Sequence, residues 1–418
     1  MARAGLDNAA PPVISEGMDA DAIIVGGGLT GPLTALALSR AGLRCVVLDA
    51  RPRVDVADAA FDGRSYAMAL GSVRALRALG LWDVLEPEAQ PITGIRASDG
   101  RAGEGASPLH LAFDAAEIGE AFMGQMIEDR HLRPALLAAC DADPRIDMRF
   151  NTAVTGQSTD GATVRVEAGD TLTARLLLGC DGRASGVAAR AGIRRTGRDY
   201  GQTSLVCAVE HERPHQGLAH QFFMPPGPLA ILPLRGNRSS IVWTETSEAA
   251  DTLNALPEAD YLDLLRPRFG SFLGGIALAG ARHSYPLALD LAQSFIAPRT
   301  ALVGDAAHGI HPIAGQGLNL GVKDVAALAD VLGAARARGE DIGAADVLAR
   351  YQRWRRFDTA LMGFGTDAVN RLFSNDNPLL RLGRDLGMGA ISAMPALRRR
   401  FIREAAGLTG ELPELMRG

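Results

Sequence analysis

Six residues near the N-terminus have the types and spacing of a dinucleotide-binding turn. The run Gly26-Gly27-Gly28-Leu29-Thr30-Gly31 fits the pattern GxGxxG. Gly26 permits a tight turn, Gly28 leaves room for a pyrophosphate, and Gly31 lets a helix pack closely on a strand. The helix start would present free N–H groups and a partial positive charge to the phosphates, so Leu29 and Thr30 are also candidate cofactor-binding residues.

The acidic residue Asp49 follows the next predicted strand, as this pattern requires. Its carboxylate can accept hydrogen bonds from the adenosine ribose hydroxyls. It would repel a 2′-phosphate, which argues against NADP at this site. The turn by itself is compatible with both FAD and NAD.

A second glycine-rich segment separates these two cofactors. Gly304-Asp305 directly follows a predicted buried strand, where a carboxylate can bind a polyol such as a ribityl chain. Beyond Pro312, which we expect to shape the loop at the flavin ring, Gly315-Gln316-Gly317-Leu318-Asn319 begins a second helix. Such a helix start can stabilise negative charge on a reduced flavin, so the sequence predicts FAD.

These residues resemble a known family. Gly304 to Asn319 is similar to the second FAD motif of the flavin-dependent aromatic hydroxylases, the para-hydroxybenzoate hydroxylase superfamily. Cys180-Asp181-Gly182-Arg183-Ala184-Ser185 resembles the family's Asp-Gly motif, which implies that Asp181 and Gly182 contact FAD and serve NAD(P)H use. The sequence departs from the family at Ala188, where an arginine is usual.

Two shorter segments add to the resemblance. Asp62-Gly63-Arg64-Ser65 is similar to the family's mobile loop, which implies that Arg64 contacts FAD. Gly124-Gln125 resembles the segment whose glutamine touches the ribityl or ribose group, which implies the same role for Gln125.

Residues 61–83, 124–136 and 304–332 are most similar to the ubiquinone-biosynthesis hydroxylases of this superfamily. The resemblance implies hydroxylation of a polyprenylated phenol or quinol, with O2 as co-substrate and NAD(P)H as electron donor. In this chemistry reduced FAD forms a C4a-hydroperoxide whose distal oxygen the ring attacks, and the cofactor performs the difficult step. The sequence identifies no catalytic base.

Two other functions stay open at this stage. One is an FAD-dependent reductase or oxidase of a prenyl lipid, and the other is a catalytically quiet flavoprotein scaffold in the same biosynthetic complex. The Asp-Gly motif favours the monooxygenase, and the intact Asp305 and Gly315 to Asn319 argue against loss of FAD.

Several other residues allow two interpretations. His308 and His311 could ligate a metal, but no carboxylate cluster joins them in sequence, and a structural role beside the FAD loop is favoured. Gly363-Phe364-Gly365 has no strand before it and is rejected as a nucleotide turn. A further group could line the substrate site or be ordinary strand residues: His220, Phe222, Phe223 and Met224.

The arginines Arg398, Arg399 and Arg400, followed by Phe401, Ile402 and Arg403, could rest on an anionic membrane or form a solvated helix face. No run of the chain approaches the length of a membrane span, and the first 20 residues lack the pattern of a signal peptide. We expect a cytoplasmic protein, with peripheral contact to the inner membrane surface as a hypothesis.

The elements that must position these residues follow from periodicity. Residues 21–25, 31–41 and 44–49 predict a strand, a helix and a strand, the start of a parallel sheet. Further strands are predicted at 154–166, split by a turn at Asp160-Gly161, and at 172–179, 204–209, 230–234, 240–244 and 300–303. Further helices are predicted at 72–79, with Ser72 as a candidate N-cap, and at 132–140 and 317–337.

The order of these elements predicts an α/β fold with an α+β insert. A Rossmann-like FAD-binding domain with a parallel sheet would be interrupted by an antiparallel-sheet substrate domain, as in para-hydroxybenzoate hydroxylase. We predict a flexible leader at 1–20, the FAD-binding domain at 21–194 and 291–345, the substrate domain at 195–290, and a helical C-terminal region at 346–418.

Composition excludes some classes of function. The 418 residues carry a formal net charge of −5, without the basic excess that a nucleic-acid partner would require. The four cysteines form no CxxC pair and predict buried, reduced thiols: Cys45, Cys140, Cys180 and Cys207.

Overall fold

The computed structural model describes residues 17–56, 61–101, 103, 105–106, 110–310, 315–373, 387, 389 and 391–417. The strands in chain order are β1 (Ala20–Val25), β2 (Cys45–Leu48), β3 (Ser65–Ala69), β4 (Gln90–Ile92), β5 (Gly94–Arg101), β6 (Gly105–Ala106), β7 (Leu111–Asp114), β8 (Gly124–Glu128), β9 (Ile146–Arg149), β10 (Gly156–Asp160), β11 (Thr163–Ala168), β12 (Asp170–Gly179), β13 (Arg195–His211), β14 (Leu218–Phe223), β15 (Leu229–Leu234), β16 (Arg238–Thr246), β17 (Ile276–Ala292), β18 (Ile296–Ala297), β19 (Thr300–Leu302) and β20 (His308–Gly309). The α-helices are α1 (Thr30–Arg40), α2 (Arg53–Val56), α3 (Leu70–Ala78), α4 (Trp82–Leu85), α5 (Asp129–Ala142), α6 (Gly186–Arg190), α7 (Ser247–Asn254), α8 (Glu258–Phe269), α9 (Gln316–Ala337), α10 (Ala345–Phe373), α11 (Pro395–Ala405) and α12 (Glu414–Arg417).

The first sheet has a parallel centre, in which β12, β1, β2 and β9 are neighbours and β19 pairs with the end of β12. The central strands are almost continuously apolar because helices cover both faces of such a sheet. The register pairs Val25 with both Leu48 and Gly179, and Gly179 with Leu302. The residues that follow these strands therefore meet at one edge, where ligands bind in open α/β sheets.

The second sheet is mainly antiparallel and runs in the order β20-β17-β13-β16-β15-β14-β5-β6, with β7 also paired to β5. Side chains alternate between its two faces, as the strand geometry requires. One face packs against α7 and α8 in a core that contains Leu205, Ile231, Ile241 and Trp243. Side chains of the other face, among them Val206, Leu232 and Val242, line a cavity that Val25 and Leu48 of the first sheet also line.

A strand from early in the chain joins this second sheet. β5 pairs in parallel with β14, from Gly94 opposite Leu218 to Asp99 opposite Phe223. The pairing links segments more than 100 residues apart in sequence, which local periodicity does not reveal. A small third sheet has the order β3-β8-β4, and its Ile92 and Met126 pack in one core cluster with Ala208, Ala219 and Leu234 of the second sheet.

Most predicted elements are observed, but the N-cap at Ser72 is wrong. The helix begins at Leu70, with Ala69 in the capping position. The Ser72 hydroxyl instead donates to Asn319 Oδ1 at 2.8 Å, a partner on α9 that is distant in sequence. Gly363 lies inside α10, so the rejection of a nucleotide turn there is confirmed.

All four cysteines are buried, as predicted, and no disulfide joins any two of them. Burial raises the pKa of Cys180 to about 12 and that of Cys207 to about 11, so both thiols stay protonated at neutral pH. No helix in the described part of the chain is long and apolar enough to span a bilayer.

Candidate active site

A single cavity of about 1560 Å³ runs from the edge of the first sheet to the inner face of the second. This volume exceeds the roughly 300–1,000 Å³ of an ordinary small-molecule site. We call its first part the dinucleotide end, lined by Gly26, Gly28 to Thr30, Asp49 to Arg51, Cys180 to Arg183, Gly304, Asp305 and Gly315 to Asn319. We call its second part the apolar chamber, lined by Ile92, Ile95, Leu111, Phe113, Met123, Val206, Ala219, Phe223, Ala230, Leu232, Val242, Ile391, Phe401 and Ala405.

The first glycine turn lies at the dinucleotide end. Gly26 has φ +109°, and a Cβ there would stand 2.3 Å from the carbonyl oxygen of Cys180. A Cβ on Gly31 would stand 1.8 Å from the carbonyl oxygen of Gly26, which explains the close packing of α1 on its strand. A Cβ on Gly28 would meet no atom within 4 Å, because this position faces the cavity. α1 begins without a side-chain cap, so its first N–H groups are available to a ligand.

Asp49 closes the same end of the cavity. Its carboxylate accepts hydrogen bonds from the backbone N–H groups of Gly27 at 2.7 Å and Arg51 at 2.8 Å, and from the Arg51 guanidinium at 3.2 Å. Burial alone would raise the pKa of Asp49, but these hydrogen bonds outweigh it and hold the pKa below its ordinary value. Asp49 is therefore ionised, and a ribose hydroxyl would share it with Arg51.

The second glycine segment lines the same cavity. Gly304 has φ +64° and lies against Thr30, and the side chain of Asp305 is half-exposed in the cavity. Arg183 lies 3.6 Å from the Asp305 carboxylate. Gly315, the residue before α9, is in the left-handed conformation, and α9 also lacks a side-chain cap, which leaves a second uncapped helix start at this cavity.

Asn319 clamps the start of α9 to the third sheet. Its Oδ1 accepts from the Ala69 backbone N–H and the Ser72 hydroxyl, and its Nδ2 donates to the carbonyl groups of Ala67 and Gly315, all within 3.0 Å. All the hydrogen-bonding groups of the side chain are used on protein. Asn319 lines the cavity, but its side chain positions the helix start instead of offering a free group to a ligand.

The Asp-Gly motif follows β12 at the same edge. Asp181 accepts hydrogen bonds from the Ser185 hydroxyl at 2.6 Å and from the Val187 N–H at 3.0 Å, and so it stabilises the start of α6. Gly182 has φ +79° and lines the cavity. The structure brings this motif beside both glycine segments; its contact with FAD stays a prediction.

Arg64 also lines the cavity. Its guanidinium donates to Asp62 at 2.5 Å and lies 3.4 Å from Asp129. Desolvation opposes its charge, but Asp62 and Asp129 outweigh that effect and raise the pKa of Arg64, which remains cationic. Asp129 also accepts a hydrogen bond from the Tyr66 hydroxyl at 2.8 Å, which ties the cavity wall to α5.

One predicted site residue, Gln125, does not line the cavity. Gln125 follows the cavity-lining Gly124 on β8 with 4% of its surface exposed, and its Oε1 has no hydrogen-bond partner among the described residues. A buried acceptor of this kind needs a water or a ligand. Pro312 and His311 lie outside the described residues.

The structure separates residues 220–224 into those that line the cavity and those that pack in a core. Phe223 faces the chamber, whereas Phe222 and Met224 belong to the core on the opposite face of the sheet. His220 touches the cavity, and its ring packs 4.6 Å from that of Phe272. Burial, with Arg96 nearby, lowers the pKa of His220 to about 4, so this imidazole is neutral at pH 7.

A buried ionic group beneath the second glycine segment was missed from sequence. Asp324 accepts hydrogen bonds from Gly304 N–H at 3.0 Å, His308 Nε2 at 2.5 Å and Arg355 Nε at 2.7 Å. All three side chains are buried. This gives His308 the structural role that was favoured, and no metal-binding cluster occurs among the described residues. The sequence offers one sign of this group, which is that Asp324 lies on the apolar face of a predicted helix.

These features fit a flavin dinucleotide. Two uncapped helix starts face one cavity, Gly28 and Gly317 have open space where a Cβ would lie, and an ionised Asp49 closes one end. The basic and apolar surroundings agree with a phosphate-bearing group at one end and a planar ring toward the chamber.

Comparisons with known proteins agree with this geometry. The model of the FAD binding domain family matches residues 19–360. The ubiquinone hydroxylase UbiL of Rhodospirillum rubrum is 46% identical over 404 residues, which cover 96% of this chain and 93% of that protein. The 3-demethoxyubiquinol 3-hydroxylase of Escherichia coli is 36% identical, with 92% of this chain and 98% of that protein covered.

A solved structure shows the same fold. The p-nitrophenol 4-monooxygenase PnpA of Pseudomonas putida has a TM-score of 0.78 and 22% identity, with 94% of this chain and 98% of that chain covered. Together these matches confirm the predicted fold class, the FAD cofactor and the hydroxylase family. The chain belongs to the FAD binding domain family and, within it, to the ubiquinone-biosynthesis hydroxylases, and it is an FAD-dependent monooxygenase.

Proposed function

We propose that this monooxygenase hydroxylates the ring of a polyprenylated phenol or quinol in ubiquinone biosynthesis. The observation that carries the proposal is the continuity of the polar dinucleotide end with a long apolar chamber in one cavity. A ring placed where the two parts meet would lie beside the cofactor, while its prenyl tail would occupy the chamber. The names of the two relatives, a ubiquinone hydroxylase and a demethoxyubiquinol hydroxylase, support this class of substrate.

The dinucleotide end would hold FAD through main-chain groups. The uncapped starts of α1 and α9 would stabilise its negative charges, and Asp49 and Asp305 would accept hydrogen bonds from its hydroxyl groups. Arg64, Gln125, Asp181 and Gly182 are the further proposed contacts. Bound FAD, reduced by NAD(P)H, supplies the activation of O2.

The chamber would exclude water and orient the ring. Its floor is the inner face of the second sheet, where Val206, Leu232 and Val242 present apolar side chains and Ser204 and Ser240 supply the small polar exceptions. Water exclusion protects a reactive oxygen species from unproductive decay. A ring held in one orientation reacts faster, because the entropic cost of aligning it with the oxygen donor has already been met on binding.

We further propose that the protein is cytoplasmic and contacts the inner membrane surface peripherally, because its substrate would carry a prenyl tail. Association with other ubiquinone-biosynthesis proteins belongs to the same proposal.

Labelled oxygen tests the proposed reaction. The FAD-loaded enzyme, given NAD(P)H and a short-tailed prenylated phenol under ¹⁸O2, is expected to place one labelled oxygen on the ring. Ala230→Trp, which fills the chamber, should retain FAD but lose hydroxylation, whereas Ala162→Trp in the exposed turn after β10 should behave as wild type. Turnover without label would indicate a reductase or oxidase, and failure to turn over with any electron donor would indicate a scaffold.

A further inference from the structure

We infer that α11 is a docking surface for an anionic lipid bilayer, and that the chamber opens beside this helix so that a prenyl tail enters directly from the lipid. The identity of the tail rests on the proposed function, whereas the lipid contact does not.

The orientation of α11 is fixed by contacts on its inner side. Ile402 is fully buried in a small core with Ala115 and Met123. The Arg398 guanidinium donates to Glu117 at 2.7 Å. This arginine therefore holds the helix against the protein and does not belong to the outward surface.

The apolar flank of α11 forms a mouth of the chamber. Phe401 lines the cavity and yet has 43% of its surface exposed, so it lies at the boundary between the chamber and the exterior. Ala405 and Ile391 line the cavity beside it. Met394, just before the helix, is 54% exposed. Two large apolar side chains thus project outward next to the chamber opening.

The outer flank of the same helix is predominantly cationic, with Glu404 as the one exposed acid between Pro395 and Ala405. Arg399, Arg400 and Arg403 are exposed, and among the residues that the structure describes none of them has a carboxylate partner. The chain as a whole has a net charge of −5, so this helix reverses the sign of the surface locally. An amphipathic helix with exposed arginines and aromatic or apolar neighbours has the properties of an interfacial helix, and guanidinium groups match lipid phosphates well.

The position of the mouth beside α11 would let a prenyl tail pass from the bilayer into the chamber. A prenyl tail that leaves the bilayer through water must expose its apolar surface to solvent. With α11 on the lipid surface, the tail can pass Phe401 into the chamber while the ring advances toward the dinucleotide end. The charge of the bilayer would thus select the orientation in which the chamber mouth faces the lipid.

Flotation with defined vesicles tests the docking. The FAD-loaded full chain is mixed with vesicles of phosphatidylcholine containing phosphatidylglycerol, and separately with vesicles of phosphatidylcholine alone. We expect binding to the anionic vesicles only. The triple variant Arg399→Gln/Arg400→Gln/Arg403→Gln should bind them about 100-fold more weakly, since each arginine near an anionic surface contributes about fivefold. A matched triple variant, Arg165→Gln/Arg194→Gln/Arg198→Gln, removes the same charge at exposed positions elsewhere and should bind as wild type.

A second measurement locates the mouth. Phe401→Trp places an indole at the opening, and its fluorescence should be quenched by vesicles with brominated acyl chains. Absence of anionic vesicle binding by wild type, equal loss in both triple variants, or an unquenched indole would each overturn the inference. Hydroxylation of a soluble short-tailed phenol reports separately on the proposed function, and the α11 triple variant should retain it. Failure of that reaction in wild type, with vesicle binding intact, would overturn the proposed function and leave the docking standing.

Discussion

The buried carboxylate of Asp324 accepts a 3.0 Å hydrogen bond from the backbone N–H of Gly304, and so connects the middle of α9 to the loop that lines the cavity. The same carboxylate lies between His308 and Arg355. Burial by itself would raise the pKa of Asp324, but these two neighbours outweigh it and lower the pKa, which keeps the carboxylate charged. The geometry of the Gly304 loop therefore depends on a fixed charge behind it.

Asp324→Asn should destabilise the protein and loosen its FAD site. Loss of the Asp324 charge leaves the buried Arg355 with the partly exposed Asp358, 3.0 Å away, as its remaining carboxylate partner among the described residues. Breaking the buried pair should therefore cost about 3 kcal/mol, the lower end of the range for such pairs. Urea unfolding measures the free energy, and fluorescence titration measures FAD affinity. Asp346→Asn is the matched control, because Asp346 pairs with Arg350 at the surface and should change stability by less than about 1 kcal/mol. Equal stability of Asp324→Asn and the control would contradict the role of the buried group.

Gly28→Ala and Gly31→Ala should separate cofactor binding from folding. A methyl group at Gly28 meets no atom within 4 Å but projects into the cavity, so the apoprotein should change in stability by no more than about 1 kcal/mol while FAD affinity falls at least about tenfold. A methyl group at Gly31 would collide with the carbonyl oxygen of Gly26, so the apoprotein itself should melt at a lower temperature. Thermal unfolding of apoprotein and FAD titration are the two measurements. Wild-type FAD affinity in Gly28→Ala would exclude this surface as the phosphate site.

The Asn319 clamp predicts a measurable coupling with Ser72. Asn319→Ala should lower the free energy of unfolding by about 2–3 kcal/mol, because it leaves buried groups on β3 and α3 unsatisfied. Ser72→Ala alone should cost about 1 kcal/mol. If the hydroxyl acts through Asn319, the double variant should be less destabilised than the two single variants added together, by about 0.5 kcal/mol or more. Strict additivity in urea unfolding would show that the two side chains act independently.

His220 predicts a pH dependence of stability. Its folded-state pKa is about 4, below the ordinary value of 6.5, so the unfolded chain takes up the proton first as the pH falls. The free energy of unfolding should therefore decrease as the pH falls from about 6.5 to about 4. Between pH 7 and pH 5, this decrease should be smaller in His220→Phe than in wild type by about 1–2 kcal/mol. Urea unfolding at both pH values provides the measurement. The same loss in His220→Phe as in wild type would assign the dependence to other groups.

The parts of the fold that sequence predicted are those with a local physical cause. The turn from Gly26 to Gly31 belongs to one continuous unit, β1 to α1 to β2, at residues 20–48, and all three elements are observed. The strands at 172–179 and 300–303 were also found, because buried parallel strands are short continuous apolar runs.

The parts that sequence did not predict depend on contacts between distant segments. Ser72 has the properties of a helix cap, and only the approach of Asn319 shows that its hydroxyl is used elsewhere. β5 gives no local sign that its partner is β14, more than 100 residues later. Asp324 is a single acid on an apolar helix face, and its meaning appears only when His308 and Arg355 come into contact with it.

The alternation of side chains along β13, β15 and β16 has a consequence for how this enzyme can change. Val206, Leu232 and Val242 shape the chamber, while their neighbours in sequence, Leu205, Ile231 and Ile241, pack on the helices behind. Point substitutions at every second position can therefore alter which molecules are accepted without weakening the scaffold. A one-residue insertion would exchange the two sets and disturb both at once, so new specificities in such enzymes should arise by substitution within strands and by length changes only at their turns.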